Sequence, residues 1–163
     1  MTEEPNASHQ RKRLRLEGFD YATPGAYYFT IVTVDRLDLF GHVVNETMTL
    51  NTAGSAVEQA WQDLPSRFRG VENDEFVVMP NHVHGITWLT CGTPAATLPA
   101  VLRAFKSLSA REVNRILERT GAVWQRSYHE RVIRNEQELH RFRKYISENP
   151  ARWEQDKDND SPW

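Results

Sequence analysis

Two histidines separated by one residue are the side chains in this sequence best suited to holding a metal ion. They lie in the segment Met79-Pro-Asn-His-Val-His-Gly-Ile86, where His82 and His84 stand at the start of a predicted strand. Side chains at i and i+2 of a strand point to the same face, so both imidazoles can converge on one cation. The spacing alone also fits surface or hydrogen-bonded histidines, and it therefore predicts a metal site without establishing one.

A tyrosine and an asparagine on a predicted helix could complete such a site. Tyr145 and Asn149 stand four residues apart, which is one helical turn, so they project on the same side. If this helix packs over the strand face with the two histidines, the phenol and the amide oxygen both reach the metal region. A phenol with an ordinary pKa of about 10 is a weak nucleophile until a nearby cation favours its phenolate. The alternative is that Tyr145 is a half-buried aromatic that only packs.

The elements that would position these residues alternate between strand and helix patterns. The predicted elements are a strand at 26–35, a hairpin-like piece at 39–50, a helix at 52–64, strands at 76–79 and 84–89, a helix at 98–117, a strand at 124–133 and a helix at 136–148. This order predicts the α+β class with a ferredoxin-like antiparallel sheet, βαββαβ. We expect the helices on one face and an added C-terminal helix that carries Tyr145.

Composition predicts one soluble domain over residues 1–163. The hydrophobic share of 39% and the charged share of 26% are typical of a globular chain of this length. The sequence contains no apolar run near the ~20 residues that cross a bilayer, and its first residues lack the apolar core of a signal peptide. We therefore expect a cytoplasmic protein without a membrane partner. The single cysteine, Cys91, cannot form an internal disulfide or build a zinc site alone.

Charge is unevenly distributed, although the formal net charge is only -2. Basic residues concentrate at 11–15 and 126–152, and acidic residues concentrate near the C-terminus. We predict a basic N-terminal arm over 1–15 and a flexible acidic tail over 154–163.

The chain resembles the REP-associated tyrosine transposases, relatives of the insertion-sequence-200-type single-strand transposases. The resemblance extends from Arg11 to Arg152, and the joint pattern is specific even though each part is not. It rests on four segments in this order: Met79–Ile86, Val123-Trp-Gln-Arg126, His129-Glu-Arg-Val-Ile-Arg-Asn135 and Tyr145-Ile-Ser-Glu-Asn-Pro150.

This resemblance implies an HUH endonuclease, named for two histidines that flank a hydrophobic residue, here His82, Val83 and His84. It implies Tyr145 as the nucleophile. It also implies a divalent ion, Mg²⁺ or Mn²⁺, held by the two histidines and by a polar side chain one turn after the tyrosine. Asn149 stands at that place, where related transposases carry the longer glutamine.

The implied reaction is attack on a DNA phosphodiester, which needs charge neutralisation on the non-bridging oxygens and an in-line nucleophile. The metal would supply the first and Tyr145 the second. Attack leaves a 5′-phosphotyrosine and a free 3′-OH, and a second 3′-OH can reverse the step without ATP because the covalent link retains the ester. The resemblance implies a folded single strand, a hairpin of repetitive extragenic palindrome type, as the substrate.

DNA contacts are expected from cations for phosphates and from rings for unstacked bases. The predicted arm supplies Arg11, Lys12, Arg13 and Arg15. Elements adjoining the predicted site supply Arg103, Lys106, Arg126, Arg134, Arg141 and Lys144. Each of these cations also fits a solvated face, or an ion pair with a glutamate one turn away.

Other functions fit the same residues. One is a domesticated nuclease that processes genomic repeats without moving itself, and another is a ferredoxin-like nucleic-acid-binding module that has lost catalysis. A third is a metal-dependent hydrolase in which water attacks and Tyr145 is structural. The intact His82, His84 and Tyr145 argue against the binding module. The sequence leaves the oligomeric state open between a monomer and a homodimer.

Overall fold

A computed structural model describes residues 17–92 and 96–156 of the chain. The strands are β1 (Gly25–Val32), β2 (Gly41–Val44), β3 (Thr47–Leu50), β4 (Val71–Val78), β5 (His82–Leu89) and β6 (His129–Ile133). The helices are α1 (Thr52–Gln62), α2 (Leu64–Arg67), α3 (Leu98–Ile116), α4 (Glu136–Ser147) and α5 (Trp153–Asp156). The predicted arm at 1–15 lies outside the described residues. The predicted tail is described only over 154–156, which belong to α5.

Four of the strands form one antiparallel sheet in the order β4-β5-β1-β6, and β2 and β3 form a separate hairpin. The connection from β1 to β4 contains α1, and the connection from β5 to β6 contains α3. This strand order and these two crossover helices are those of a ferredoxin-like fold. The structure therefore confirms the predicted class, a mixed fold of helices on an antiparallel sheet.

Alternation along β1 and β5 divides the core into two layers. One face of the sheet carries Tyr27, Phe29 and Ile31 and is covered by α1 and α3. The opposite face carries Tyr28 and Ile86 and is covered by apolar residues of α4. Thus α1 and α3 share a face, with Leu64 of α2, and the helix with Tyr145 covers the other one.

Several boundaries differ from the prediction. The first half of β4 was not predicted as strand because its residues are mostly polar. It pairs with β5 from Val71 onward, with a register irregularity between Asn73 and Phe76. The predicted strand at 124–133 is regular only from His129, after an isolated bridge between Thr33 and Trp124. The predicted strand at 26–35 ends at Val32.

A 3-10 turn at Val34–Arg36 follows β1, and Asp35 and Arg36 adopt left-handed backbone conformations there. The predicted helix at 52–64 ends at Gln62. Among the described residues, none of the helices combines the length and apolar character that a bilayer crossing requires.

One ion pair fixes α4 on the sheet. Arg143 donates to Asp74 through Nε at 2.8 Å and Nη2 at 2.6 Å, and Trp88 Nε1 donates to the same carboxylate at 2.7 Å. Partial burial alone would raise the pKa of Asp74, but hydrogen bonds from Arg143, Trp88 and the Glu75 N–H lower it to about 2. The carboxylate on β4 therefore holds the helix that carries Tyr145.

We expect Arg143→Gln to lower the free energy of unfolding by about 1–2 kcal/mol at pH 6. This is the contribution of a charge-assisted hydrogen-bonded pair, reduced because solvent screens the exposed side of the guanidinium. The pKa of Asp74 is about 2 in the folded chain, against an ordinary value of 3.8 that we take for the unfolded chain. The stabilisation is therefore present above the ordinary value and lost as the pH falls through about 2. Urea unfolding should show a smaller difference between wild type and variant at pH 3 than at pH 6.

Arg141→Gln is the matched control, because Arg141 is exposed on the same helix and approaches Glu138 only at 3.9 Å. We expect it to change stability by less than about 0.5 kcal/mol. Equal losses in the two variants would contradict a specific role for the pair with Asp74.

Candidate active site

Side chains from β5 and from the end of α4 converge on one side of the sheet. The rings of His82 and His84 lie 4.6 Å apart between centroids, and the ring of Tyr145 lies 5.3 Å from that of His84. Asn149 follows α4, is 1% exposed and reaches the imidazole of His82. The structure thus brings together all four residues that were singled out as nucleophile and metal ligands.

The Nδ1 atom of each histidine is hydrogen-bonded to protein oxygens. His82 Nδ1 lies 2.8 Å from Asn81 Oδ1, and His84 Nδ1 lies 2.8 Å from both Tyr28 Oη and Thr30 Oγ1. An added ligand would therefore have to bind at the Nε2 atoms. A second interaction of this kind orients a metal-binding imidazole and raises its basicity.

Burial lowers the pKa of both histidines. Burial takes the pKa of His82 to about 4, an effect that contact with Asn149 opposes and the positive charge of Arg36 reinforces. The pKa of His84 lies well below its ordinary value because of burial and then because of the charge on His82. Both imidazoles are neutral at pH 7, which is the form that binds metal ions.

The amide of Asn149 is buried without a hydrogen bond of good geometry at either its oxygen or its nitrogen, although it reaches His82. Buried amides are normally paired, and an unpaired one calls for an explanation. An amide oxygen beside two neutral imidazoles fits a divalent ion that accepts oxygen and nitrogen donors. The described residues contain no cluster of three or more His, Cys, Asp or Glu, since the third donor here is an asparagine.

Four supporting residues were missed from the sequence. Asn81 contacts His82, and Trp153 stacks on the same ring at 5.9 Å between centroids. Tyr28 and Thr30 contact His84 from β1, where Thr30 is the register partner of His84. Alternation along β1 is a signal that could have placed Tyr28 and Thr30 on one face, but no sequence pattern connects Trp153 with a histidine.

The predicted DNA-binding residues are spread over several surfaces. Arg103 and Lys106 lie on α3, across the sheet from Tyr145. Lys106 Nζ donates to the carbonyls of Gln125 and Arg126 at 2.7 and 3.1 Å, and burial lowers its pKa. Its ammonium already holds the segment before β6, and a contact with DNA stays a prediction.

Four other predicted cations are exposed: Arg126, Arg134, Arg141 and Lys144. Arg141 and Lys144 share α4 with Tyr145 and form ion pairs at 3.9 Å with Glu138 and 3.8 Å with Glu148. Exposed pairs at such distances contribute little, so both cations can exchange them for phosphates. The predicted contacts Arg11, Lys12, Arg13 and Arg15 lie outside the described residues.

We expect Asn149→Leu to leave the metal-free protein as stable as wild type or more stable by up to about 2 kcal/mol, because leucine removes a buried amide and keeps the same branching of heavy atoms. Urea unfolding in EDTA measures this change. Asn51→Leu is the control, since Asn51 caps α1 through a 2.8 Å bond from the Gly54 N–H and should cost about 1 kcal/mol. A clear loss of stability in Asn149→Leu would mean that the amide has partners.

A family model described as "Transposase IS200 like" matches residues 42–149, which include both histidines, Tyr145 and Asn149. An uncharacterized protein from Haemophilus influenzae is 36% identical to this chain over an alignment of 179 positions. That alignment covers 96% of this chain and 97% of the relative.

Two solved structures share the fold. A REP-associated tyrosine transposase bound to a REP hairpin superposes with a TM-score of 0.62 and 23% identity, covering 85% of this chain and 74% of that one. A putative transposase from Deinococcus radiodurans gives a TM-score of 0.52 and 19% identity, with coverages of 82% and 95%. Because the family model spans most of the chain, including the converging side chains, this protein belongs to the IS200-like transposase family.

Proposed function

We propose that this transposase is an endonuclease and strand transferase that cuts single-stranded hairpin DNA through Tyr145 and uses a divalent ion, Mg²⁺ or Mn²⁺. The observation that carries the proposal is the convergence of Tyr145 and the unpaired Asn149 amide on the adjacent imidazoles of His82 and His84. Membership of the family supplies transposase activity in general terms. The nucleophile, the metal ion and the DNA substrate are the proposed parts.

The ion would be held by one imidazole nitrogen each from His82 and His84 and by the amide oxygen of Asn149. The bound ion would neutralise charge on the non-bridging oxygens of the scissile phosphate and favour the phenolate of Tyr145. Burial prepares the histidines for this role, because both are neutral at pH 7 and no proton has to be displaced.

Tyr145 would act as the nucleophile. Its side chain is half-buried and packs against the cluster beneath α4. The phenolic oxygen attacks the phosphorus, its proton passes to solvent, and the bond to the 3′ oxygen breaks. The leaving oxygen takes up a proton, so the products are a 5′-phosphotyrosine and a free 3′-OH. Attack by a second 3′-OH joins two strands and returns the free phenol.

The substrate class is proposed from the structural neighbour, which was solved with a REP hairpin. Exposed cations would contact the phosphates of such a strand, with Arg141 and Lys144 within four residues of the nucleophile on α4. Arg126, Arg134 and Arg103 would extend the contacts over other elements, and we place Lys106 and the basic arm in the same role.

Tyr145→Phe should abolish cleavage, with a loss on the order of 10³-fold or more, while hairpin binding persists. Labelled single-stranded hairpins incubated with Mn²⁺ and resolved on a denaturing gel should give a slow covalent band with wild type only. EDTA should remove the band as well. Tyr128→Phe is the control and should keep it, because that half-buried ring lies beside Lys106 of α3.

Cleavage by Tyr145→Phe without a covalent band would assign the attack to water. Cleavage that disappears only in Tyr128→Phe would assign it to Tyr128. Binding without cleavage on varied hairpins, in wild type itself, would favour a nucleic-acid-binding module.

We expect Lys144→Gln to weaken hairpin binding and to lower the slope of log affinity against log salt by about 0.7, the share of one single-strand phosphate contact. Fluorescence anisotropy of a labelled hairpin over a salt series measures the slope. Arg115→Gln is the control, since Arg115 lies in the last turn of α3 and pairs with Glu112 at 2.8 Å. Equal slopes for wild type and Lys144→Gln would remove Lys144 from the DNA surface.

A further inference from the structure

Asn81 occupies the tight turn between β4 and β5, immediately before the first histidine. The turn is closed by the Met79 N–H, which donates to the His82 carbonyl at 2.8 Å. From the other side, the Thr33 N–H donates to the Asn81 carbonyl at 2.9 Å. The backbone of Asn81 is therefore fixed by two neighbouring segments, and its side chain starts from a defined position.

The amide of Asn81 bridges two groups with different requirements. Its Nδ2 donates to the carbonyl of Arg36 at 3.4 Å, and its Oδ1 lies 2.8 Å from His82 Nδ1. The reversed amide would set its oxygen against the Arg36 carbonyl, and two acceptors would then face each other. The bond to Arg36 is long, but it distinguishes the two orientations and directs Oδ1 toward the histidine.

This orientation decides which nitrogen of His82 carries the proton. An amide oxygen can only accept, so Nδ1 must be the donor of the 2.8 Å bond. A neutral imidazole has a single N–H, and Nε2 therefore presents a lone pair. His84 differs, because its Nδ1 contacts two hydroxyl groups, each of which can donate or accept.

The same contact gives a reason for an unusual piece of backbone. Asp35 and Arg36 have φ angles of 51° and 53°, a left-handed conformation that non-glycine residues rarely adopt and that tends to occur at functional sites. These two residues form the turn after β1 that presents the Arg36 carbonyl to Asn81.

We infer that Asn81 is a positioning residue that fixes His82 as the Nδ1–H tautomer and so keeps the lone pair on Nε2. Its consequence for metal binding rests on the proposed function, whereas the tautomer is a property of the metal-free protein. Because its amide oxygen is engaged by His82 Nδ1, the residue acts through His82.

Long-range ¹H–¹⁵N correlation spectra of the metal-free full chain at pH 7.5 test the tautomer directly. Wild type should show His82 protonated at Nδ1, and Asn81→Leu should shift His82 toward the Nε2–H form. Asn81→Asp keeps an acceptor for Nδ1 but gives up the 3.4 Å donation to the Arg36 carbonyl, and His82 should stay protonated at Nδ1. His84 should keep its own tautomer in both variants, although its chemical shifts will respond to the neighbouring ring 4.6 Å away.

The second arm titrates Mn²⁺ into the same proteins by calorimetry. Asn81→Leu should bind about 10–100-fold more weakly than wild type, and Asn81→Asp should bind at least as tightly as wild type. Asn81→Ser replaces Asn81→Leu if the latter does not fold, with the same expected loss. An Nε2–H form of His82 in wild type, or an unchanged tautomer and affinity in Asn81→Leu, overturns the inference. Wild type with the Nδ1–H form but without Mn²⁺ binding supports the role of Asn81 and rejects the metal-dependent function.

Discussion

Alternation of side chains along two paired strands is the constraint on which the site depends. In β1 and β5, one set of side chains fills the core under α1 and α3, and the other set faces α4. Pairing of Thr30 with His84 and of Ile31 with Val83 sets the register, and a slip by one residue would bury the histidines in the wrong layer. Glycine at position 85 permits this register, because a Cβ there would lie 2.5 Å from the ring of Phe29.

The apolar layer carries the stability that the polar layer lacks. The larger cluster, beneath α1 and α3, contains stacked and edge-to-face rings such as Trp61 on Phe76 at 4.6 Å. Above the other face, the buried imidazole of His84, the partly buried imidazole of His82 and the buried amide of Asn149 replace part of the apolar contact. Buried groups of this kind reduce stability and are retained where a ligand completes them. The ion pair between Arg143 of α4 and Asp74 offsets part of this loss of stability.

The sequence predicted what strand and helix periods encode and missed what long-range pairing decides. The i, i+2 spacing placed both histidines on one face, and the i, i+4 spacing placed Tyr145 with Asn149. Periodicity shows which side of an element is apolar, but it does not show which face of the sheet that element covers, and α4 lies opposite α1 and α3. The contact between Tyr28 and His84 joins residues 56 positions apart, beyond any local pattern. Lys106 donates to two backbone carbonyls that no sequence pattern connects with it, and its contact with DNA stays a prediction.

The short asparagine one turn after Tyr145 is explained by the path of the chain beyond α4. The helix ends at Ser147, and Pro150 begins a 3-10 turn instead of a further helical turn. This turn leads into α5, whose Trp153 stacks on His82, so the backbone of residue 149 is brought toward the histidines. The turn therefore places the asparagine amide beside His82, where its residue is 1% exposed.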